Sequence, residues 1–587
     1  MAVTAEDKEL RQKQIQQAEE LLFSGPQKEG FAKELFLGHF RSESIFPYPA
    51  LPPEQIKIGD EAVAKVREFC DTRIDPAKID DDEDIPMEII KGLGEIGVLG
   101  MTVGAEYGGQ GMSQQNYCRV MEVLGSHCAS TAVFVNAHHS IGLRTLELFG
   151  TDEQKKKWMR PVATGEQVAA FALTEPDAGS DAGNVQTRAE PTPDGSGYIL
   201  NGEKRYITNA SIASILTVMA RTPDAKNPDG KITAFLVTPD MPGFEITEAR
   251  MPKCGIKGTV TTRMAFTDMF VPNENLLGEI GKGLRIALTV LDFGRTTFGA
   301  SCTGASKFCL QKLIEHASTR KQFGKTLGEF ELVKEKIAHA AADTFAMESA
   351  TYHTAALIDS GAEDYMEETA MLKVFASDSL WRIVNDTLQV YGGAGYFKDQ
   401  PFERMMRDAR INLIGEGAND VLRCFVAMVG MRNLGKQLEE ILKRPWKVTV
   451  MWRSAPKINV PLKTAGNLVL PGRLQYAAKC LSKQIAKFSF KCQRMLIKYR
   501  EDILDEQCVQ ARIGDVAIEL FMSSCVYSRL CSLAADDGLD DQQRKKDFET
   551  GLFYLQAANR RNANRLKNLT KNDDQPQQDL ADLLQGR

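Results

Sequence analysis

The sequence predicts a mainly α-helical chain with a small central β domain: a helical domain, a β-barrel-like domain and a helical bundle in that order, then an extra C-terminal helical domain. Three observations predict it. Apolar positions three and four apart run from Pro53 to about Glu166, give way to short β-branched and aromatic runs broken by Gly, Pro and Asn from Gln167, and return near Gly281. The chain of 587 residues and 65.0 kDa has room for three or four domains of the usual size. Its composition, 43% hydrophobic and 26% charged, supplies apolar surface for several cores.

Residues 1–52 read as an N-terminal extension whose opening, MAVTAEDKELRQKQIQQAEELLF, mixes acids and bases where a signal peptide has an apolar centre. Residues 53–166 make the first helical domain, with EAVAKVREFC and QQNYCRVMEVLG as amphipathic segments. Within it Gly92, Gly94 and Gly97 match the GxGxxG spacing of dinucleotide-binding turns. The preceding IPMEII has helical texture and no βαβ unit surrounds it, so these glycines read as a helix end. The doublet His138-His139 lies in apolar TAVFVNAHHSIG; helix neighbours point in different directions, which favours packing histidines over joint metal ligation.

Residues 167–280 carry VAAFALTE, GYILNGEKRYIT, ILTVMA, ITAFLVTP and TTRMAFTDMFVP, five or six strands too closely spaced for βαβ crossovers. Residues 281–435 follow as a helical bundle, including the periodic LVKEKIAHAAADTFAMESATYHTAALI. A basic, Pro-interrupted linker spans 436–472, and 473–587 is helical again.

Several classes of function are disfavoured. The net charge of −6 speaks against a general nucleic-acid binder, and no apolar run approaches the ~20 residues of a spanning helix. The 12 cysteines are scattered singly from Cys70 to Cys531, without zinc or dithiol spacing, and read as reduced core thiols. No metal site and no GxxxxGK[ST] phosphate loop is recognisable.

Three stretches carry candidate chemistry. In AFALTEPDAGSDAGN, Ala170–Asn184, a strand runs into a turn whose backbone N–H groups and hydroxyls suit a flat polar heterocycle or an anion, although a plain polar turn has the same composition. In QVYGGAGY, Gln389–Tyr396, three glycines interrupt helical texture at ~1 kcal/mol each, which implies close approach of a helix or a ligand. In NLIGEGAND, Asn412–Asp420, Glu416 is flanked by glycines in apolar surroundings, where burial raises a carboxylate towards the range of a general base.

TEPDAGSD, NGEKRYITN (Asn201–Asn209), TRKQFG (Thr319–Gly324), QVYGGAGY and RDARINLIGEGAND, in this order, resemble the acyl-CoA dehydrogenase family. The entrance FPYPALPPEQ (Phe46–Gln55) and the extra length containing LIKYREDILDEQ (Leu496–Gln507) are most similar to its very-long-chain branch. The resemblance covers Phe46 to about Leu530. It implies helical, β and helical domains around FAD and oxidation of a long-chain acyl-CoA to the trans-2-enoyl-CoA, the first step of β-oxidation. A carboxylate takes the α-proton while the β-hydrogen leaves as hydride to the flavin.

By resemblance Glu416 is the base. Some relatives carry theirs immediately before the Arg of LDFGRT; that position here is Gly294, which has no side chain. The Glu416 backbone N–H and a ribityl hydroxyl are implied as donors to the thioester oxygen. Phe293, Arg295, Gly417 and Ser180 are implied at the substrate. Phe171, Leu173, Thr174 and Ser180 map beside the flavin, and Tyr206, Ile207 and Thr208 against its ring, Tyr206 standing where the family more often has Trp. Arg320, Gln322, Phe323, Gln389, Gly392 and Gly393 resemble residues that reach the FAD of a neighbouring subunit, which implies a homodimer. Ala418, Asn419 and Asp420 complete the cofactor set, with EGAND replacing the usual EGTND. Small or apolar Ala132, Val133 and Val135 suggest a deep pocket for long acyl chains, which Phe134 could close.

From Ile441 to Arg500 there are 14 Lys and Arg and no Asp or Glu. Leu474, Ala477, Ala478, Leu481, Ile485, Phe488 and Cys492 recur at helical spacing between Lys479, Lys483, Lys487 and Lys491, which reads as a basic amphipathic helix. With Trp446, Met451 and Trp452 upstream, residues 441–500 suggest peripheral membrane attachment; packing on the bundle is the alternative. The expected partners are long-chain acyl-CoA and an electron-transfer flavoprotein. The expected location is the cytoplasmic face of the inner membrane, or the mitochondrial matrix and inner membrane in a eukaryote. Rival readings are an acyl-CoA oxidase, disfavoured because LLQGR lacks a peroxisomal tripeptide, and a respiratory-complex assembly factor of the same fold.

Overall fold

The computed structural model describes residues 30–224, 227–442, 472–535 and 540–586. They fall into two units. The first comprises 51–327 and 380–416, the second 27–50, 328–379 and 417–587.

The first unit is built on one long helix contact and a sheet. Helix Gln114–His127 runs against helix Gly283–Thr319, and the approach is close enough to require glycine. A Cβ at Gly125 would collide with the Ser301 carbonyl, and one at Gly304 with the Glu122 carbonyl. Beside them lies a mixed sheet of β1 (Ala169–Ala172), β2 (Arg188–Pro191), β3 (Gly197–Thr208), β4 (Ile215–Asp224), β5 (Asn227–Val237), β6 (Phe244–Glu248), β7 (Thr261–Pro272) and β8 (Leu276–Leu277). The order is β6-β7-β3-β2-β4-β5-β8, with β1 pairing parallel to β4. Strands β2, β6 and β8 add to the five strings read from the sequence; at two to five residues they are too short to show a period of their own.

Alternation along β4 and β5 sends side chains to two cores. Ile215, Met219, Ile232, Ala234 and Leu236 join Leu143, Leu146, Met159 and Ile286 of the helices. Leu216, Val218, Ala220, Phe235 and Val237 meet Tyr198, Leu200, Met264, Phe266 and Met269 of the same sheet, which therefore curls over its own face in the barrel-like manner expected.

In the second unit helix Gln507–Ala535 is the core element, contacting Glu331–Asp359, Asn419–Leu442, Gly472–Tyr499 and Asp541–Asn568. It is the one described helix long and apolar enough to cross a membrane, a possibility the sequence reading had set aside. However, 83% of its most apolar window is buried in the protein. Its Glu519 is ion-paired with Arg561 and Arg565 and accepts from the Tyr554 hydroxyl. Burial alone would raise that carboxyl, but these partners outweigh it and hold it at about 2.

The short helix Phe31–Phe36 belongs to this unit. Asp364 Oδ2 accepts from the Gly30 N–H (3.0 Å) and pairs with Lys33 (2.6 Å), while Glu368 Oε1 accepts from the Ala32 N–H (2.8 Å). Carboxylates thus receive the free donors of the helix start.

The basic amphipathic helix is present as Gly472–Tyr499. Its apolar face is not free: Leu474, Ala478, Leu481, Ile485, Phe488 and Cys492 are buried, Phe488 against Phe36, while Lys479, Lys483 and Lys487 are exposed. Residues 443–471, with Trp446, Met451 and Trp452, lie outside the described residues. All 12 cysteines are free; Cys254 is exposed and Cys424, Cys480 and Cys508 half-buried, so not all are core thiols.

Candidate functional site

Glu416 ends a loop that leaves helix Phe402–Arg410 through the 3-10 turn Ile411–Leu413. Its φ is +57°, a left-handed conformation that costs a residue with a Cβ roughly 1–2 kcal/mol. Three contacts hold it there. Arg295 Nε donates to the Glu416 carbonyl (3.3 Å), Asn136 Nδ2 donates to Oε1 (2.8 Å), and Oε2 stands 3.0 Å from where a Cβ on Gly294 would be. Arg295 is buried and paired with Asp292 (3.2 Å); its neighbour Phe293, also buried, lies 4.4 Å below the Arg144 guanidinium. Phe293, Arg295 and Glu416 are thus brought together, and the empty side of Gly294 is where the carboxylate lies.

The second group lies along β1 and β3. Phe171, Leu173 and Thr174 are half-buried, and the Thr174 carbonyl accepts from the Arg205 N–H (2.9 Å). A register shift between Lys204 and Ile207 turns Tyr206 outward with φ +62°, leaving it 56% exposed under the Arg205 guanidinium at 4.8 Å. Ile207 is buried, Thr208 half-buried, and Ser180 exposed on the turn.

That turn is pinned by a pair with no assigned role in the sequence reading. Glu175 and Lys204 form a fully enclosed ion pair at 2.6 Å; Lys204 also donates to the Leu173 carbonyl (3.1 Å), and Glu175 accepts from the Gln186 and Thr187 N–H groups. Burial pushes the Lys204 ammonium down to about 8 despite the Glu175 charge. Burial would raise Glu175, but Lys204 and the donors outweigh it and hold it below the carboxylate range. Two further contacts link the sheet to the base: Asn209, next after Thr208, donates to the Phe134 carbonyl (3.1 Å), and two residues on, Asn136 holds Glu416.

Arg320, Gln322 and Phe323 sit on the small hairpin Lys321–Gln322/Lys325–Thr326, Phe323 being 93% exposed with φ +53°. Gln389, Gly392 and Gly393 are exposed at the end of helix Met366–Tyr391, where a Cβ at either glycine would meet open space. Tyr391 joins the two segments, stacking on His316 at 4.0 Å and donating to the Lys312 carbonyl (3.2 Å).

Gly417, Ala418, Asn419 and Asp420 belong to the second unit. Buried Lys373 donates to the Gly417 carbonyl (2.7 Å) and to Asn419 Oδ1 (2.9 Å), while Asn419 Nδ2 donates to Ser377 Oγ (2.9 Å) and Asp378 Oδ1 (2.8 Å). Asn419 is therefore committed within the protein, whereas Asp420 is exposed.

Asp408, on the helix that leads to Glu416, accepts from the Ile256 N–H (2.5 Å) and borders a cavity of about 240 Å³ lined also by Gly125, Ala129, Ala305, Phe308 and Met405. Ala132, Val133 and Val135 do not line it. Burial pushes the Asp408 carboxyl up to about 6. An acid whose pKa rises on folding holds its proton longer in the folded chain, so stability is lost as pH rises from about 4 through about 6. Asp408→Asn keeps an acceptor for Ile256. It should leave stability unchanged near pH 4 and raise it by about 2–3 kcal/mol near pH 8, measured by denaturant midpoints.

His138 donates from Nε2 to the Val162 carbonyl and accepts from the Ala169 N–H at Nδ1, and His139 Nε2 accepts from the Thr102 N–H. Burial lowers His138 to about 4 and His139 well below its ordinary value, as for packing histidines.

Family models match most of the chain. The N-terminal, middle and C-terminal domains of acyl-CoA dehydrogenase match residues 59–166, 170–269 and 281–431, and the ACAD9/ACADV C-terminal domain matches 472–583. The mitochondrial very long-chain specific acyl-CoA dehydrogenase of Homo sapiens is 36% identical over 534 residues, 89% of this chain and 81% of its own. An acyl-CoA dehydrogenase of Bacillus anthracis, solved in complex with FAD, superposes with a TM-score of 0.80 at 28% identity over 95% of both chains. Butyryl-CoA dehydrogenase of Megasphaera elsdenii superposes with a TM-score of 0.61 at 33% identity, over 66% of this chain and 99% of its own. With these matches running in chain order around the carboxylate over Gly294, the chain belongs to the acyl-CoA dehydrogenase family.

Proposed function

We propose that this chain dehydrogenates long-chain or very-long-chain acyl-CoA to the trans-2-enoyl-CoA, with Glu416 taking the α-proton. The observation that carries this reading is the strained Glu416 itself, fixed at its peptide by Arg295 and at its carboxylate by Asn136, with the neighbouring base position vacated by Gly294. FAD supplies the hydride acceptor when bound.

The residues present fit a flat aromatic cofactor. Tyr206 and Phe323 hold exposed rings on left-handed backbone, and Gly392 and Gly393 leave backbone open to close approach. Phe171, Leu173, Thr174, Ser180, Tyr206, Ile207 and Thr208 would hold the ring portion, with Ser180, Phe293, Arg295 and Gly417 towards the substrate. The separate group Arg320, Gln322, Phe323, Gln389, Gly392 and Gly393 would serve the FAD of a second copy, so the working form is a homodimer. Electrons pass to an electron-transfer flavoprotein. The long-chain preference rests on similarity to the very long-chain relative. Attachment to a membrane surface rests on the exposed lysines of Gly472–Tyr499.

The deciding experiment mixes the FAD-loaded protein anaerobically with acyl-CoAs of increasing chain length and follows flavin bleaching. Bleaching with long chains, persisting until an electron-transfer flavoprotein is added, is the expected result. No bleaching at any length sinks the enzyme reading, and rapid recolouring in air turns it to an oxidase. Gly294→Ala adds a methyl 3.0 Å from Oε2 and should slow bleaching roughly ten- to a hundredfold by displacing the carboxylate.

A further inference from the structure

Asn136 opens a π-helical stretch, Asn136–Leu143, the kind of wider, under-wound turn that persists at functional sites. It is buried, and every polar atom of its amide has a partner. Nδ2 donates to Glu416 Oε1 (2.8 Å) and faces the Gly294 carbonyl (3.5 Å); Oδ1 accepts from Thr297 Oγ1 (2.5 Å). Two acceptors on one side and a donor on the other fix which end is nitrogen. The chain of contacts continues from Thr297 to Ser140 (3.0 Å) and from Ser140 to the Tyr117 hydroxyl (3.1 Å), all fully buried. Thr297 Oγ1 also lies 3.1 Å from the Phe293 and Gly294 carbonyls, but Asn136 Oδ1 is its shortest contact; with the Thr297 proton there, Ser140 donates to Thr297 and Tyr117 to Ser140, a run oriented towards the carboxylate.

We propose that Asn136, oriented by Thr297, is a positioning residue for the base: it holds the Glu416 carboxylate in its ionised form and leaves Oε2 as the oxygen over Gly294. This rests on Glu416 being the base. A donor to the charged form of a carboxyl favours ionisation, and within a buried network it also removes rotamer freedom. Charged or titratable groups near Glu416 include Arg295 and Asp292 on the long helix, Tyr117 on Gln114–His127, His139 and Arg144 at the π-helical stretch, and the Lys373 cation, which donates to the carbonyl of the next residue, Gly417. Arg295 and Asp292 offset one another. Burial raises Tyr117 and lowers His139 out of the neutral range, so neither supplies the titration read below.

The test uses the FAD-loaded protein and a long-chain acyl-CoA, following single-turnover flavin reduction against pH. In Asn136→Ala the acid limb should move up by about one pH unit, because the protonated carboxyl is now favoured, and the plateau rate should fall about tenfold. Thr297→Val keeps the amide but frees its orientation, and should give a smaller shift the same way; it also serves if Asn136→Ala does not fold.

A second readout needs no substrate. The drop in Tm caused by Asn136→Ala should be larger above the limb, where Glu416 is ionised, than below it. In a Glu416→Gln background that pH dependence should vanish. An unmoved acid limb, or a Tm penalty with the same pH dependence in both backgrounds, overturns the proposal. Normal turnover by Glu416→Gln instead overturns the assignment of the base, and leaves the Tm comparison to decide whether Asn136 acts on the carboxylate.

Discussion

Glu416→Gln should slow flavin reduction by about 10²–10⁴-fold while the protein stays folded and yellow. The amide keeps the length and shape of the side chain, and its oxygen can still accept from Asn136 Nδ2 where Oε1 does now. It has no basic lone pair for the α-proton at neutral pH, so the loss falls on the chemical step. Arg295 holds the main chain at residue 416 rather than the side chain, so the left-handed turn with Gly417 (φ +98°) should survive the change. Stopped-flow reduction with one acyl-CoA, together with the FAD content and Tm of the same preparation, separates the cases. A variant that retains FAD and Tm but has lost reduction supports the base; normal turnover removes it, whatever the surrounding residues resemble.

What was legible in the sequence follows from how locally each feature is encoded. The order of helical and β segments is written in periods of 3.6 and 2, and the two cores of the sheet are that second period read on opposite faces. Glu416 stood out because glycines flank it on both sides, and the positive φ of Gly417 explains the second of them: the turn needs backbone freedom there. Tyr206 and Phe323 were found through family strings. Their left-handed φ, shared by eight non-glycine residues among those described, depends on a bulge and a tight hairpin that no composition rule signals.

Asn136 was hidden for two reasons. It sits in an apolar stretch read as helix, where a single amide is unremarkable, and its partners are 161 and 280 positions away. A π-turn also shifts the register that ordinary helical spacing assumes. The basic helix was recognised, but spacing shows only that one face is apolar, not whether lipid or protein covers it; Phe36, in a segment read as extension, is part of the answer.

Glu175 and Lys204 lay inside two quoted strings, 29 positions apart, and only the closure of the sheet makes them a pair. Lys204→Met should destabilise the first unit by about 3–5 kcal/mol, because it leaves the Glu175 carboxylate enclosed with backbone donors but no cation. The consequence for the cofactor is geometric. Glu175 clasps the N–H groups of Gln186 and Thr187, and Lys204 clasps the Leu173 carbonyl, so between them they close the turn that carries Thr174 and Ser180. Loosening it should release FAD faster as well as lower the denaturant midpoint. The double variant Glu175→Gln/Lys204→Met removes the charge together with its partner and should recover much of the lost stability, since an uncompensated buried ion is costlier than an absent pair. Denaturant midpoints of the two variants with FAD removed, and dilution-induced FAD loss from the loaded forms, read both effects. A double variant no more stable than Lys204→Met would mean that the lost hydrogen bonds at the Leu173 carbonyl and the Gln186 N–H, rather than an uncompensated charge, set the cost.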